Sequence, residues 1–226
     1  MARFKRMTTL NKIEEIGVVP VFYNPDIDIA KKIVSACHRG GAKVVEMTNR
    51  GDHAIDVFAR LEKFTNDNIP DLILGVGSVI DAPTAAAYIA HGANFVVGPI
   101  IDEETAILCN KHKIPYSPGC GSVSEIHKAH SLGVEFCKVF PGRQVGGPGF
   151  VKAVLGPCPW ASIMPTGGVD ITEESLGQWF SAGVACVGIG SKLITKEIVK
   201  AGNFEKLTEN VAKVIATIKK IREAKD

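Results

Sequence analysis

The feature that most limits the possible folds of this chain is a regular alternation of short strand-like runs with amphipathic stretches. The strand-like runs are rich in β-branched residues, and there are eight of them: 17–23, 42–48, 72–79, 94–100, 114–120, 136–142, 162–169 and 185–191. Between them, apolar residues recur at helical spacing, as in 26–38, where Ile27, Ala30 and Val34 share one face. Such alternation is typical of a parallel sheet covered by helices.

The other helical segments complete the pattern. They are 53–64, 82–91, 103–112, 122–132, 148–155 and 173–182, with an extra helix near 6–15 and a final one near 204–222. Eight β-α units in 226 residues predict one domain, 1–226, folded as an α/β (β/α)8 TIM barrel. An open doubly wound sheet is the alternative. A barrel would bring the polar strand ends together at one mouth, whereas an open sheet would leave them on separate loops.

Charge and cysteine content narrow the kind of partner. The formal net charge is +2 and the longest basic run is RFKR near the N-terminus, so neither nucleic acid nor an anionic membrane is an expected partner. A small molecule is the expected ligand.

The six cysteines are scattered without a C-x-x-C pair, and no apolar segment follows the basic N-terminus. These features predict a cytoplasmic protein with reduced thiols.

One lysine stands inside an apolar, strand-like run, in the stretch EFCKVFPG. Lysine is among the residues least often fully buried unless it is paired or used. Side chains alternate along a strand, so Phe136, Lys138 and Phe140 share one face. A lysine in apolar surroundings has a lowered pKa and can attack a carbonyl as a free amine. A structural ion pair, or a lysine that points outward, would explain the same pattern without chemistry.

The second strand offers charged neighbours for this lysine. Glu46 and Thr48 share a face there, and Arg50 follows just past the end of the strand. Strands two and six are both even-numbered, and alternate strands of a barrel contribute to the same interior layer. We therefore expect Lys138 and Glu46 to meet inside the barrel.

Several segments match a known family. VVEMTNR, KVFPG and MPTGGV, followed by GIGSKL, resemble the 2-keto-3-deoxy-6-phosphogluconate (KDPG) aldolase and 4-hydroxy-2-oxoglutarate (KHG) aldolase family of class I aldolases. The resemblance runs in order from about Ile13 to Ile194. It implies reversible cleavage of a 2-keto-4-hydroxy acid to pyruvate and an aldehyde, in a homotrimer that needs no metal or cofactor. By this resemblance, Lys138 forms the Schiff base and Glu46 transfers protons.

The resemblance also implies which residues hold the substrate. Those around the pyruvate and its carboxylate are Arg50, Ser78, Pro99, Phe140 and Thr166, and those at the phosphate position are Gly167, Gly168, Gly190 and Ser191. Glycines after late barrel strands suit this second role, because their backbone N–H groups can approach an anion.

Some positions depart from the commoner family pattern. Ser78 stands where many members have threonine, Gly98-Pro99 replaces a Ser-Pro dipeptide, and Arg143 stands where an acid often lies. Arg143 either helps to hold an anionic substrate tail or is an exposed loop residue.

Two other functions are compatible with the sequence: a phosphosugar epimerase-like or thiamine-phosphate-synthase-like barrel, and a non-catalytic relative that only binds a keto acid. The first would not need a lysine inside strand six.

Overall fold

A computed structural model describes residues 2–224. Its strands follow the predicted runs closely. They are β1 (Val18–Phe22), β2 (Val44–Thr48), β3 (Ile73–Gly77), β4 (Val96–Val97), β5 (Tyr116–Ser117), β6 (Gly119–Cys120), β7 (Phe136–Val139), β8 (Ser162–Pro165) and β9 (Val187–Ile189). The fifth predicted run is divided into β5 and β6 at Pro118, whose nitrogen carries no hydrogen to donate to a neighbouring strand.

The helices alternate with the strands as predicted. They are α1 (Arg6–Ile16), α2 (Ile27–Arg39), α3 (Ala54–Asn68), α4 (Ala82–Ala90), α5 (Glu103–His112), α6 (Val123–Ser131), α7 (Gly147–Leu155), α8 (Glu173–Ser181), α9 (Lys196–Lys200) and α10 (Phe204–Glu223). The short helix α9 was not predicted from the sequence. Within residues 2–224, no helix is both long and apolar enough to cross a membrane.

All strand pairs are parallel, and they form a curled sheet in two parts. One part has the order β5-β4-β3-β2-β1-β9 and the other the order β6-β7-β8. Only Pro118 separates β5 from β6 along the chain, and Thr166, just after β8, forms a bridge with Gly188 of β9. The described residues therefore form an α/β fold whose strand ends all face the same way.

Side-chain caps begin the helices next to this edge of the sheet. Asp81, Asp102, Ser122 and Thr172 each accept a hydrogen bond from a backbone N–H in the first turn of the helix that follows. Such caps satisfy amide groups that have no partner within the helix. The caps therefore fix where each helix begins after β3, β4, β6 and β8, and so restrain the polar residues in the loops between strand and helix.

Candidate active site

Lys138 lies in β7 and is only 5% exposed. Its Nζ atom is 4.7 Å from the centroid of the Phe140 ring, on the face that the alternation of side chains predicted. Burial lowers the pKa of Lys138; Glu46 opposes this change and Arg50 adds to it. The neutral amine, which is the nucleophilic form, is thus favoured more than in an exposed lysine.

Glu46 lies in β2 and is 2% exposed. Its carboxyl group packs directly against Gly77 of β3, where even a Cβ atom would collide with the carboxyl oxygen. Burial raises the pKa of Glu46, while Lys138 and Arg50 act to lower it. The absence of a side chain at Gly77 thus makes room for a carboxyl group that tends to hold its proton.

Lys138 and Glu46 interact electrostatically, as the sequence predicted. In both residues desolvation is the largest influence on the pKa, and it favours the neutral form of each side chain. Burial therefore shifts Lys138 towards the free amine and Glu46 towards the protonated acid. This pair supplies a nucleophile together with a proton donor, which is what the formation of an imine from a ketone requires.

Arg50 is held by a neighbouring loop. Its Nε donates a hydrogen bond of 3.2 Å to Oγ of Ser78, and Ser78 has a left-handed backbone with φ of 59°. A residue other than glycine in this conformation is strained, and such strain is concentrated at functional sites. We expect Ser78 to position the Arg50 guanidinium through this hydrogen bond, and the contact with pyruvate that the family resemblance implied stays a prediction.

Two substitutions separate the hydroxyl of Ser78 from its backbone strain. Ser78→Ala and Ser78→Gly both remove the hydrogen bond to Arg50, so each should raise KM about three- to tenfold, as expected for one lost charged hydrogen bond. Only glycine also relaxes the left-handed backbone, which should make Ser78→Gly more stable than Ser78→Ala by about 1 kcal/mol. Steady-state kinetics and thermal unfolding measure the two effects. A KM unchanged in both variants would exclude the positioning role.

A cavity of about 550 Å³ opens at the carboxyl ends of the strands. Arg50, Phe140 and Thr166 line it together with Thr48, which the sequence analysis had placed only on the face of Glu46. Lys138 and Glu46 precede Phe140 and Thr48 by two residues on the same faces, so they lie deeper than the cavity wall. The hydroxyl oxygen of Thr166 is buried without a hydrogen-bond partner, which leaves it available to a ligand.

The predicted phosphate residues line the same cavity. They are Gly167, Gly168, Gly190 and Ser191. The loop after β8 is joined to the loop after the lysine strand, because the amides of Gly142 and Arg143 donate to the carbonyls of Thr166 and Gly167 at 2.9 and 3.1 Å. Gly168 has φ of 81°, and Arg143 packs against it so closely that a Cβ there would collide.

The other predicted positions lie at the rim. Ser78 and Pro99 follow β3 and β4 but are not among the residues that line the cavity. The side chain of Arg143 borders a smaller neighbouring cavity of about 290 Å³ instead. Six polar residues of the main cavity wall were not predicted from the sequence: Tyr23, Asn24, Lys192, Thr195, Lys196 and Lys200. Tyr23 and Asn24 could have been found from their position, since they directly follow the first predicted strand.

In this parallel α/β fold, a buried lysine lies beside a buried carboxyl group, under a cavity lined by cationic side chains. These features define a class I aldolase, an enzyme that binds its carbonyl substrate as a lysine imine. The sequence model of the family described as KDPG and KHG aldolase matches residues 10–210. The chain belongs to that family, and it is therefore a lyase that acts on carbon–carbon bonds.

Individual relatives agree with this assignment. The chain is 34% identical to the 2-dehydro-3-deoxy-phosphogluconate aldolase of Pseudoalteromonas atlantica over 199 residues, which cover 88% of this chain and 90% of that one. It is 30% identical to the enzyme of the same name from Haemophilus influenzae, with 93% and 96% covered. The crystal structure of KDPG aldolase from Legionella pneumophila, with pyruvate captured as a covalent carbinolamine, superposes with a TM-score of 0.83 at 30% identity and covers 91% of this chain and 97% of that chain.

Proposed function

We propose that the protein reversibly cleaves a 2-keto-4-hydroxy acid, namely KDPG, KHG or both, to pyruvate and an aldehyde, with Lys138 as the nucleophile. The aldehyde is glyceraldehyde 3-phosphate or glyoxylate, respectively. The observation that carries the proposal is the burial of the Lys138 amine beside Glu46, since burial lowers the pKa of the amine. The reaction draws only on groups of the protein, so no metal or cofactor is part of it.

The first half of the reaction forms the imine. The neutral amine of Lys138 attacks the C2 ketone, and a proton moves from nitrogen to oxygen to give a carbinolamine. Glu46, whose pKa is raised by burial, donates a proton to the C2 hydroxyl group, which leaves as water. The product is a protonated imine that withdraws electrons from C3, together with an ionised Glu46.

The second half breaks the carbon–carbon bond. The ionised Glu46 accepts the proton of the C4 hydroxyl, the C3–C4 bond breaks, and its electron pair moves into the imine to give an enamine and a free aldehyde. Glu46 then returns the proton to C3. Addition of water to the imine releases pyruvate, restores the proton of Glu46 and regenerates the amine of Lys138.

The two ends of the substrate are held by different groups. Arg50 suits the carboxylate because its guanidinium presents a planar fork of donors, and Thr166 adds a hydroxyl with no partner of its own. Ser78 keeps Arg50 in place, Phe140 forms part of the wall around the keto acid, and Pro99 lies at the rim. The phosphate end lies at the backbone amides of Gly167, Gly168, Gly190 and Ser191.

The proposal is tested by supplying KDPG and KHG separately and measuring the release of pyruvate and of the matching aldehyde. We expect both products in equal amounts, with activity unaffected by a metal chelator. Turnover of neither acid would contradict the proposal, as would release of pyruvate without the aldehyde.

We also propose that the chain forms a single domain, 1–226, whose strands close into an eightfold barrel. In this barrel, β5 and β6 together occupy one strand position. The bridge between Thr166 and Gly188 supports closure at the other junction. The proposed assembly is a homotrimer, and Ile80 and Ile100, 56% and 51% exposed at the ends of β3 and β4, suit a subunit interface. Six free cysteines support a cytoplasmic location.

A further inference from the structure

The short helix α9 presents two lysines to the cavity. Lys196 and Lys200 lie four residues apart and line the cavity with Val199 between them, so one face of the helix forms part of its wall. Like charges at this spacing repel each other, so an anion bound between them would stabilise the arrangement. Within residues 2–224, neither lysine forms a hydrogen bond or an ion pair.

The charged side chains of the cavity wall are all cationic. Four cationic side chains line the cavity: Arg50, Lys192, Lys196 and Lys200. None of the described residues that line it is aspartate or glutamate. Such a surface concentrates anions, because the field of several like charges adds up in a cleft with apolar walls.

The neighbouring charges show which of these cations are free. Lys192 forms an ion pair of 3.1 Å with Asp170, and Arg50 is bonded to Ser78. Glu197 lies between the two α9 lysines in sequence but is not part of the cavity wall. Hydrogen bonds from its own amide and from Thr195, and then the charges of Lys200 and Lys196, lower the pKa of Glu197. The ammonium groups of Lys196 and Lys200 are therefore the two left without a direct partner.

We propose that Lys196 and Lys200 are specificity-determining residues that bind the phosphate of the substrate together with the glycine loops, which line the same cavity. This inference rests on the proposed function. A phosphate monoester carries nearly two negative charges at neutral pH, which two ammonium groups match. The pair selects a phosphorylated aldehyde end over a neutral or singly charged one.

The test compares a double variant, Lys196→Gln/Lys200→Gln, with the unaltered enzyme on three substrates. For KDPG we expect KM to rise about tenfold with kcat nearly unchanged, as expected for the loss of two partly exposed ion pairs. For KHG, whose tail is a single carboxylate, KM should rise about threefold at most. For unphosphorylated 2-keto-3-deoxygluconate, KM should stay within about twofold.

A matched control removes the same charge elsewhere. Lys63→Gln/Lys213→Gln replaces two exposed lysines outside the cavity that form no ion pair within residues 2–224, and it should leave all three KM values unchanged. An equal change for all three substrates in the α9 variant, or no change for KDPG, would overturn the proposal. Trapping of pyruvate with sodium borohydride distinguishes the outcomes: without labelling of the unaltered enzyme the proposed function itself fails, whereas labelling with unchanged KM values refutes only the role of the lysines.

Discussion

Lys138→Met removes turnover completely, by at least about 10⁴-fold in kcat, because the variant has no amine to form the imine. Methionine has a similar length and carries no charge, so it fits a buried position that disfavours a cation. We expect the variant to be as stable as the unaltered protein or more so. Pyruvate release from KDPG and thermal unfolding measure the two effects.

A control for this variant is Lys213→Met, which places the same side chain on the exposed surface of α10 and should retain full activity. A Lys138→Met protein that kept more than about a hundredth of the activity would contradict the nucleophilic role, because residual binding and electrostatic effects support far less than that. An inactive variant that had also lost its cooperative unfolding would indicate a structural role instead.

Glu46→Gln lowers kcat by about 10³-fold while leaving the imine able to form. Glutamine keeps the shape that fits against Gly77 but cannot give up or accept a proton, and general acid–base catalysis contributes about 10² to 10⁴ in rate. After long incubation with pyruvate and borohydride, we expect Lys138 of the variant to be labelled to nearly the same extent as in the unaltered protein.

Exchange of the pyruvate methyl protons in deuterated water isolates the role of Glu46. This exchange requires both the imine and a base that removes a proton from C3, so it should be fast in the unaltered protein and almost absent in Glu46→Gln and in Lys138→Met. Proton NMR of pyruvate measures it directly. Rapid exchange in Glu46→Gln would assign the base to another group.

The order and kind of the strands could be predicted because each run is bounded by turn residues and followed by a helix with a clear apolar face. The face of Lys138 followed from simple alternation, and its interaction with Glu46 from the symmetry of a barrel. The short helix α9 could not be predicted, because five residues are too few to show a helical period. Two of the cavity's lysines were missed for that reason.

Other features of the site depend on contacts between distant segments. The collision that a side chain at Gly77 would make with Glu46 follows from the pairing of β2 with β3, which places Thr48 beside Gly77. From the sequence, Gly77 was only a glycine within a strand, and its contact with Glu46 could not be predicted. Similarly, the hydrogen bond between Ser78 and Arg50 joins positions that are 28 residues apart, and no pattern in the sequence predicted it.

The central claim is that Lys138 carries pyruvate as an imine. The most direct test is to incubate the protein with pyruvate and sodium borohydride and to analyse intact protein and peptides by mass spectrometry. The account predicts a single pyruvyl adduct on the peptide that contains Lys138. An unmodified protein, at a pyruvate concentration that labels a known class I aldolase, would contradict it, and so would an adduct on any other lysine.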